Sequence, residues 1–498
     1  MEFFNLLAEV PMLIFGDTFN VIELDWIGKF IRWLVTITGS VGVGIILFSL
    51  ALKLVTLPFD IFQRITMRKQ NLKMKQNQER MEKLQKQYAN DKDMYNQKVM
   101  EMYKENGMSM FSSCLPMILS LVIFFIAINA FNAYASYSNV ENYNTMVDAY
   151  NEQLLEYSVD YTDENTVIEI NDNEIANGTV TYIVTNSAEN EQFFNYKVTE
   201  KATEKDVETL KALNPEELKA LKKDYIATAA KEYFVDTEKV YVGDRKAEID
   251  AIQAEIQAAD AELTEDQAFK DAIKQYFTSP AQDAVKVAYD TKVSKTTKFL
   301  WIKNIWVTDV SYRHPVMEYD KFSMEIVERK ACSCKTENKT EGLKAYTEEG
   351  YELVTAKLDH AKDAPNGFFI LVALSIGTIL LQQFVTMRSQ KEQQKYSSVD
   401  GQAAGQSKMM MIVMTGMFAI FSFMYSGAFS VYLIVSNVFT LISTLVINKS
   451  VDVVMARKEA AAEQAKYNKR FVATRNANGK KVKKVKPVKE KKDPSDKK

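Results

Sequence analysis

Long apolar stretches separated by polar segments dominate the pattern of this sequence. A helix needs roughly 20 mostly apolar residues to cross a bilayer core of about 30 Å. Only Ser426 and Gly427 separate the last two stretches, which indicates a tight helical hairpin. An isolated apolar stretch can also be a buried core helix, but several of them favour an α-helical polytopic membrane protein. Five stretches meet or approach the required length: Ile37–Leu57, Cys114–Tyr134, Phe368–Val385, Met409–Tyr425 and Ala428–Ile447.

A shorter amphipathic segment precedes the first apolar stretch. Trp26, Phe30, Trp33 and Leu34 fall on one face at helical spacing. Tryptophan and arginine in such a segment are typical of a helix that lies in the plane of the membrane interface. An extension of the first span fits the same residues equally well, so both interpretations stay open.

The segment after the first span predicts a pair of helices. Residues 59–107 are rich in lysine, glutamine and methionine, and Met74, Met81 and Tyr88 recur every seven residues. Turn and capping residues at 90–93 interrupt this periodicity, so we expect a coiled-coil hairpin. Flexible thioethers suit variable apolar partners, whereas packing inside the hairpin is the alternative role. The candidate contacts for a substrate or the ribosome are Met67, Met74 and Met81.

The long segment between the second and third spans predicts a folded α+β insert domain. Apolar and polar residues alternate over Thr166–Ile170, Thr179–Thr185 and Phe193–Thr199, with Asn177 and Gly178 as a turn. Amphipathic helices are expected to follow at Pro215–Phe234, Arg245–Phe277 and Ala281–Asp290.

Charge is balanced over the whole chain but strongly segregated along it. The 62 basic and 65 acidic residues give a net charge of −3. Residues 108–365 nevertheless carry −18, whereas residues 59–107 carry +4 and residues 409–498 carry +11. Because basic loops stay in the cytoplasm, the pattern predicts an extracellular N-terminus, an extracellular insert and a cytoplasmic C-terminus.

Few residues are available for metal, redox or nucleotide chemistry. Three cysteines and two histidines exclude a disulfide scaffold and leave little for a metal or catalytic site. Cys332 and Cys334 have no obvious ligand partners. Gly42 and Gly44 lie within a span, so they indicate close helix packing rather than a nucleotide loop. We therefore expect no metal, no cofactor and no enzymatic activity.

Several polar residues interrupt the predicted spans. An ionisable group such as Lys53 costs roughly 3 kcal/mol at that depth and is a candidate functional residue. Snorkelling to the nearby interface is the alternative for Lys53. Polar side chains at one depth can line a water-filled cavity, and bonding across helices is the alternative. The candidate cavity or groove residues are Lys53, Gln382, Gln383, Asn129, Ser436 and Asn437.

The C-terminal segment is strongly basic. It contains Lys480, Lys481, Lys483 and Lys484 among further lysines and two prolines. Such a composition predicts a disordered cytoplasmic tail that binds phosphate, either of ribosomal RNA or of anionic lipid, and not DNA. A solvated tail that merely fixes the topology is the alternative.

The residues in and around the spans resemble the YidC family of membrane protein insertases. Together the matching segments cover about residues 26–140 and 296–450 in the family's order, whereas residues 136–298 depart from it. The segments are Leu52-Lys53-Leu54-Val55-Thr56-Leu57-Pro58-Phe59, Ser113-Cys114-Leu115-Pro116-Met117, Phe299-Leu300-Trp301-Ile302, Leu380-Leu381-Gln382-Gln383, Lys408–Met414 and Ser436-Asn437.

This resemblance implies a five-helix core around a hydrophilic groove that opens to the cytoplasm and to lipid but is closed outside. In most bacterial members an arginine of the first span attracts acidic substrate residues into the groove. The matching residue here is Lys53, which keeps the charge but lacks the planar guanidinium fork. Leu433 stands where many members have a tryptophan.

The resemblance also implies an insertase and chaperone of the bacterial plasma membrane that uses no nucleotide hydrolysis. Its implied partners are nascent membrane proteins, the ribosome and the Sec translocon, besides anionic lipid. The main alternative is a membrane-anchored receptor or adhesion protein that acts through its insert domain. Polar residues inside the spans disfavour that alternative, because a pure anchor does not need them.

The expected order of domains follows from these patterns. It is an extracellular segment with the interfacial helix (1–36), the first span (37–58), the cytoplasmic helical hairpin (59–113), the second span (114–135), the acidic extracellular insert domain (136–365), the third span (366–386), a cytoplasmic loop (387–408), the fourth and fifth spans (409–447) and a basic disordered cytoplasmic tail (448–498).

Overall fold

A computed structural model of the chain describes residues 9–16, 24–105, 111–187, 191–324, 344–397 and 402–471. The chain is mainly helical, with one antiparallel sheet. The helices are α1 Trp26–Thr38, α2 Val41–Gln76, α3 Gln78–Gln87, α4 Lys92–Glu105, α5 Phe111–Leu155, α6 Glu204–Lys211, α7 Pro215–Thr228, α8 Thr237–Val240, α9 Gly243–Ala259, α10 Glu265–Ala288, α11 Ser294–Thr297, α12 Tyr319–Phe322, α13 Glu348–Thr355, α14 Asp359–Lys362, α15 Ile370–Ser397, α16 Gln402–Met424 and α17 Gly427–Phe471. The strands are β1 Val10–Met12, β2 Thr166–Asn171, β3 Thr179–Asn186, β4 Phe194–Lys201 and β5 Glu232–Val235.

The chain divides into two compact units. Unit 1 comprises Met1–Leu50, Leu121–Gly377 and Thr415–Val435. Unit 2 comprises Ala51–Ser120, Thr378–Met414 and Ser436–Lys498. The chain passes between the units within long helices, such as α2 and α17.

Three helices are long and apolar enough to cross a membrane, judged over the described residues: Val41–Gln76, Ile370–Arg388 and Gly427–Lys458. A shorter apolar stretch, Thr415–Met424, lies in α16. The predicted spans Cys114–Tyr134 and Met409–Tyr425 include residues whose side chains are not described, so the number of five crossings stays a prediction. The chain is a helical membrane protein by these features.

The first long helix does not end where the sequence suggested. α2 continues through Pro58 to Gln76. Proline removes one backbone donor, but membrane helices tolerate it because neighbouring groups can satisfy the freed carbonyl. The predicted boundary between the first span and the hairpin therefore lies inside one continuous helix.

α1 is a separate helix rather than an extension of the first span. The Asp25 carboxylate accepts a hydrogen bond from the Gly28 amide at 2.7 Å, and Gly39 ends the helix in the left-handed conformation, with φ +65°. A Cβ atom on Gly44 would lie 2.6 Å from the Val35 side chain, so α1 and α2 are in close contact there. Trp26 and Trp33 are exposed, whereas Leu34, which follows Phe30 by one helical turn, is buried.

The insert domain contains the predicted three-stranded meander and two strands more. The strand order is β1-β5-β4-β3-β2, and all neighbours are antiparallel. Gly178 directly precedes β3 and has φ +76°, a backbone conformation that disfavours residues with a Cβ atom. β5 replaces the end of the helix predicted at 215–234, because Glu232–Val235 pairs with both β4 and β1.

The helices that follow also differ from the prediction. The helix expected over 245–277 is two helices, because Thr264 caps a new one by accepting a hydrogen bond from the Gln267 amide at 3.2 Å. α10 then continues through Pro280 instead of ending before a third helix. Its buried face, which includes Phe269 and Phe277, contributes to the largest apolar core of the domain.

Two helices pack together where the hairpin was expected. α3 and α4 are joined by a turn at residues 88–91. Met81 and Met102 are fully buried, and the Tyr103 hydroxyl lies 3.9 Å from the Met81 sulfur. Burial raises the pKa of the Tyr103 phenol. Arg80 pairs with Glu105 at 2.8 Å.

Candidate functional site

A stripe of charged residues runs along one face of α2 within unit 2. Lys53, Asp60, Arg64 and Arg68 are spaced by seven, four and four residues, which places them within one arc of a helix with 3.6 residues per turn. Lys53, Asp60 and Arg64 are each partly buried. Asp60 interacts electrostatically with both Lys53 and Arg64. Lys53 is therefore part of a group of three cations and one carboxylate rather than an isolated cation.

α17 provides polar partners for Arg64 and Arg68, the C-terminal part of this stripe. The Arg64 guanidinium donates a hydrogen bond to the buried Thr444 hydroxyl at 3.0 Å. Arg68 lies 3.7 Å from the carboxylate of Asp452. Two long polar side chains thus bridge α2 and α17, which holds the charged face of α2 against this helix.

Ser436 and Asn437 lie nearer the N-terminus of α17 than Thr444, and Ser436 is buried. The Asn437 amide nitrogen is also buried and has no hydrogen-bond partner among the described residues. A buried amide without a partner costs free energy, so it is available to water or to a bound polar group. The Thr440 hydroxyl, one turn further along α17, donates its hydrogen bond to the Ser436 carbonyl at 2.7 Å.

The remaining predicted groove residues are divided between the two units. Gln382 and Gln383 lie on α15 in unit 2 and are both half-buried. Asn129 lies on α5 in unit 1 and is exposed. Five of the six predicted residues therefore occur in one unit, and Asn129 does not.

The predicted contact methionines differ in exposure. Met74 and Met81 are buried, which favours packing for these two, and Met67 is half-buried. Met94 and Met100 on α4 are the exposed methionines of the hairpin among the residues described. Lys480, Lys481, Lys483 and Lys484, like Cys332 and Cys334, lie outside the described residues.

Sequence reasoning missed Asp60, Arg64 and Thr444. The signal for the first two was present, because they follow Lys53 at helical spacing. Pro58 predicts the end of the span, whereas α2 continues through it and carries both residues on the face of Lys53. Thr444 had no such signal, because its role depends on α17 packing beside α2.

Unit 1 has a contrasting interior of aromatic side chains. Phe124 lies with its ring centroid 5.0 Å from that of Phe418 and 5.9 Å from that of Phe429. Phe131 contacts Phe48 at 5.4 Å and Tyr432 at 5.3 Å. These edge-on and tilted pairs join α2, α5, α16 and α17 through apolar contacts.

Comparison with known proteins finds one matching family. The sequence model described as "60Kd inner membrane protein" matches residues 33–213 and 285–455, which is more than half of the chain. Curated relatives include three proteins named membrane protein insertase YidC. That of Caldanaerobacter subterraneus subsp. tengcongensis is 32% identical over 113 residues, 23% of this chain and 53% of the relative.

The other two relatives show similar levels of identity. The protein of Fusobacterium nucleatum subsp. nucleatum is 37% identical over 87 residues, 18% of this chain and 40% of the relative. That of Clostridium tetani is 34% identical over 115 residues, 23% of this chain and 50% of the relative. The chain thus spans about half or less of the length of these relatives. No solved structure matches.

Proposed function

The chain belongs to the family of the 60Kd inner membrane protein, and from this premise we propose that it is a membrane protein insertase. It takes nascent membrane proteins into a hydrophilic groove open to the cytoplasm and releases their spans into lipid. The observation that carries this proposal is the charged stripe of α2 at Lys53, Asp60 and Arg64, inside a helix apolar enough to cross a bilayer. A helix that only anchors a domain has no need of such a stripe.

The proposed mechanism follows from solvation. The main barrier to insertion is the transfer of a short hydrophilic flank out of water and through hydrocarbon. Polar groups such as Gln382, Gln383 and Asn437 keep water inside the membrane and shorten the dry path. Lys53 attracts an acidic flank into this wet region. Partition of the apolar segment into lipid then supplies the driving force, so nucleotide hydrolysis is not required.

We propose that the groove is closed on the extracellular side, as the resemblance to the YidC family implies. A continuous aqueous pore would let ions leak, whereas a groove wet on one side alone would not. We propose the topology given by the charge pattern, with the N-terminus and insert domain outside and the basic tail in the cytoplasm.

We further propose the ribosome, the Sec translocon and anionic lipid as partners of this insertase. The basic hairpin and tail supply the cations for phosphate binding. Met94 and Met100, exposed on α4, are the methionines of the hairpin best placed for an apolar segment.

The proposal is tested by insertion into liposomes that contain the purified protein. The substrate has one span and an acidic N-terminal flank, and protease protection of the flank is scored. We expect Lys53→Leu to lower insertion several-fold and Lys53→Arg to keep it, because the cation is what attracts the flank. Lys29→Leu serves as the matched control, because it makes the same change at an exposed position of α1.

Two outcomes would contradict the proposal in different ways. Equal insertion by the wild type and Lys53→Leu would reduce Lys53 to a snorkelling anchor. No insertion by any variant, with binding of an external ligand to the insert domain, would favour the receptor alternative.

A further inference from the structure

Two bulky residues of unit 1 adopt strained backbone conformations next to membrane-crossing helices. Leu300 has φ +53° and Phe369 has φ +62°, and they are the non-glycine residues with positive φ among those described. Leucine and phenylalanine are disfavoured there, so the surrounding structure must impose these conformations. Leu300 nevertheless keeps 63% of its surface exposed. The strain therefore presents side chains outward instead of filling a core.

A rigid polar centre holds both residues in place. The fully buried Asp309 carboxylate accepts hydrogen bonds from the Phe368 amide at 2.8 Å and from the Trp301 ring nitrogen at 3.3 Å. The Asp309 carbonyl accepts another from the Phe369 amide at 3.0 Å. One buried residue thus fixes the turn that carries Leu300 and the start of α15.

The exposed residues form an apolar patch at the ends of two candidate spans. We define the collar as Leu300, Tyr312, Phe368 and Phe369; the rings of Tyr312 and Phe369 are 6.1 Å apart. Phe368 and Phe369 directly precede α15, which is apolar enough to cross a bilayer. The Phe299 ring, next to Leu300 in the chain, packs closely on Gly42 at the start of α2. A Cβ atom on Gly42 would lie 2.0 Å from this ring.

The exposed charges on residues 298–313, the segment that carries Leu300 and Tyr312, are positive, although the surrounding block of the sequence is acidic. Lys298, Lys303 and Arg313 are exposed. From Lys298 to Arg313 the single acidic residue is Asp309, which is buried and hydrogen-bonded. Aromatic and aliphatic side chains flanked by exposed cations match the boundary between acyl chains and phosphate headgroups.

We propose that the collar docks into the lipid headgroup–acyl boundary at the start of α15 and that Lys298, Lys303 and Arg313 bind the phosphates of anionic lipid there. In the topology proposed above, this is the outer leaflet. Residues 299–313 are then part of the membrane interface, not of the aqueous insert domain. The inference rests on α15 crossing the bilayer and does not depend on insertase activity.

The test uses the full chain in lipid nanodiscs with single cysteine labels. In a background with Cys114, Cys332 and Cys334 changed to serine, Tyr312→Cys and Leu300→Cys carry a fluorophore. Leu221→Cys is the matched control, because Leu221 on α7 is also exposed, at 61%, but lies far from any candidate span in sequence. Tyr312 lies outside the strained positions, so its replacement leaves the two turns intact.

We expect brominated lipid to quench the labels at 312 and 300 several-fold more than the label at 221. Aqueous iodide should show the reverse order. Iodide quenching at 312 equal to that at 221 would overturn the proposal. Protection of the label at 312 from both quenchers would also overturn it, because the patch would then contact protein.

The role of the cations is tested separately. A small fraction of brominated phosphatidylglycerol is mixed into unbrominated phosphatidylcholine. Quenching of the label at 312 should be about twice the value expected from the bulk fraction of brominated lipid, since cations concentrate anionic lipid locally. Lys303→Gln with Arg313→Gln should return it to the bulk value. Quenching at the bulk value in the unsubstituted chain would refute the anionic site.

Discussion

In the proposed mechanism, the single residues Lys53, Asp60 and Arg64 set the charge that an incoming substrate flank meets. Asp60 acts electrostatically on the cations on both sides of it along α2. Its carboxylate therefore weakens the attraction of the stripe for an acidic flank. It also lowers the cost of holding two cations in a partly buried helix, since buried charges require partners.

We predict that Asp60→Asn accelerates insertion of substrates with acidic flanks. A unit charge at about 10 Å contributes roughly 1–2 kcal/mol at an effective dielectric constant of about 20, so the rate should rise about 5- to 30-fold. The measurement is the initial rate of flank protection in proteoliposomes. Asp93→Asn is the control, because it makes the same change of charge at an exposed position of α4.

A rise of equal size for a neutral flank would contradict this prediction, because it would show an effect unrelated to charge. High salt should reduce the gain, since exposed parts of the stripe are screened.

At the scale of elements, the start of α15 depends on residues far away in sequence. The Asp309 carboxylate binds the Phe368 amide, and the buried Asn366 side chain donates to the carbonyls of Val307 and Thr308 at 3.2 and 3.1 Å. The helix thus receives its N-terminal partner from a preceding loop, not from its own capping residue. Gly367 makes this possible, because a Cβ atom there would lie 1.8 Å from an Asp309 oxygen.

We predict that Gly367→Ala destabilises the protein by about 1–3 kcal/mol, the usual cost of overpacking a filled site. The Asp309 carboxylate would have to move away from the Phe368 amide. The measurement is the thermal unfolding midpoint of the purified chain in detergent. Gly377→Ala is the matched control, because Gly377 lies in α15 itself and a Cβ atom there would meet no described atom of another element within 4 Å.

An unchanged midpoint for Gly367→Ala would show that the loop around Asp309 adapts freely. In that case the rigidity on which the collar depends would be refuted as well.

At the scale of the whole molecule, the N-terminal segment is part of the insert domain. β1 pairs with β5, and Val10, Met12 and Phe15 are buried in the main core of that domain. The Phe15 amide donates to the Asn151 side chain at 3.0 Å, and the same side chain donates back to the Phe15 carbonyl at 2.9 Å. Residues more than a hundred positions apart therefore form one folded domain within unit 1.

We predict that Phe15→Ala destabilises the insert domain by about 3–5 kcal/mol, because it removes a buried ring that packs against Tyr150. Limited proteolysis of the full-length chain should then cut the insert domain at a lower denaturant concentration. Pro11→Ala, exposed on β1, should behave like the wild type. Equal protease resistance of the two variants would show that the N-terminal segment is dispensable.

The sequence alone determined the features that depend on local pattern. Apolar runs, helical spacing and alternation gave the long helices, the paired helices after α2 and the meander β2–β4, because these follow from period and length. Lys53 was recognisable since a charge in an apolar run is costly wherever the run folds. The resemblance to the YidC family agrees with the family match, because it depended on ordered local motifs.

Only the tertiary structure decided which distant residues meet. The Arg64–Thr444 bond, the Asp309 support of α15 and the pairing of β1 with β5 all join residues far apart in sequence. Such contacts depend on packing between elements, and no local period encodes them. For the same reason, the sequence pattern predicts helix where β5 lies: pairing with β1 and β4 overrides the local pattern.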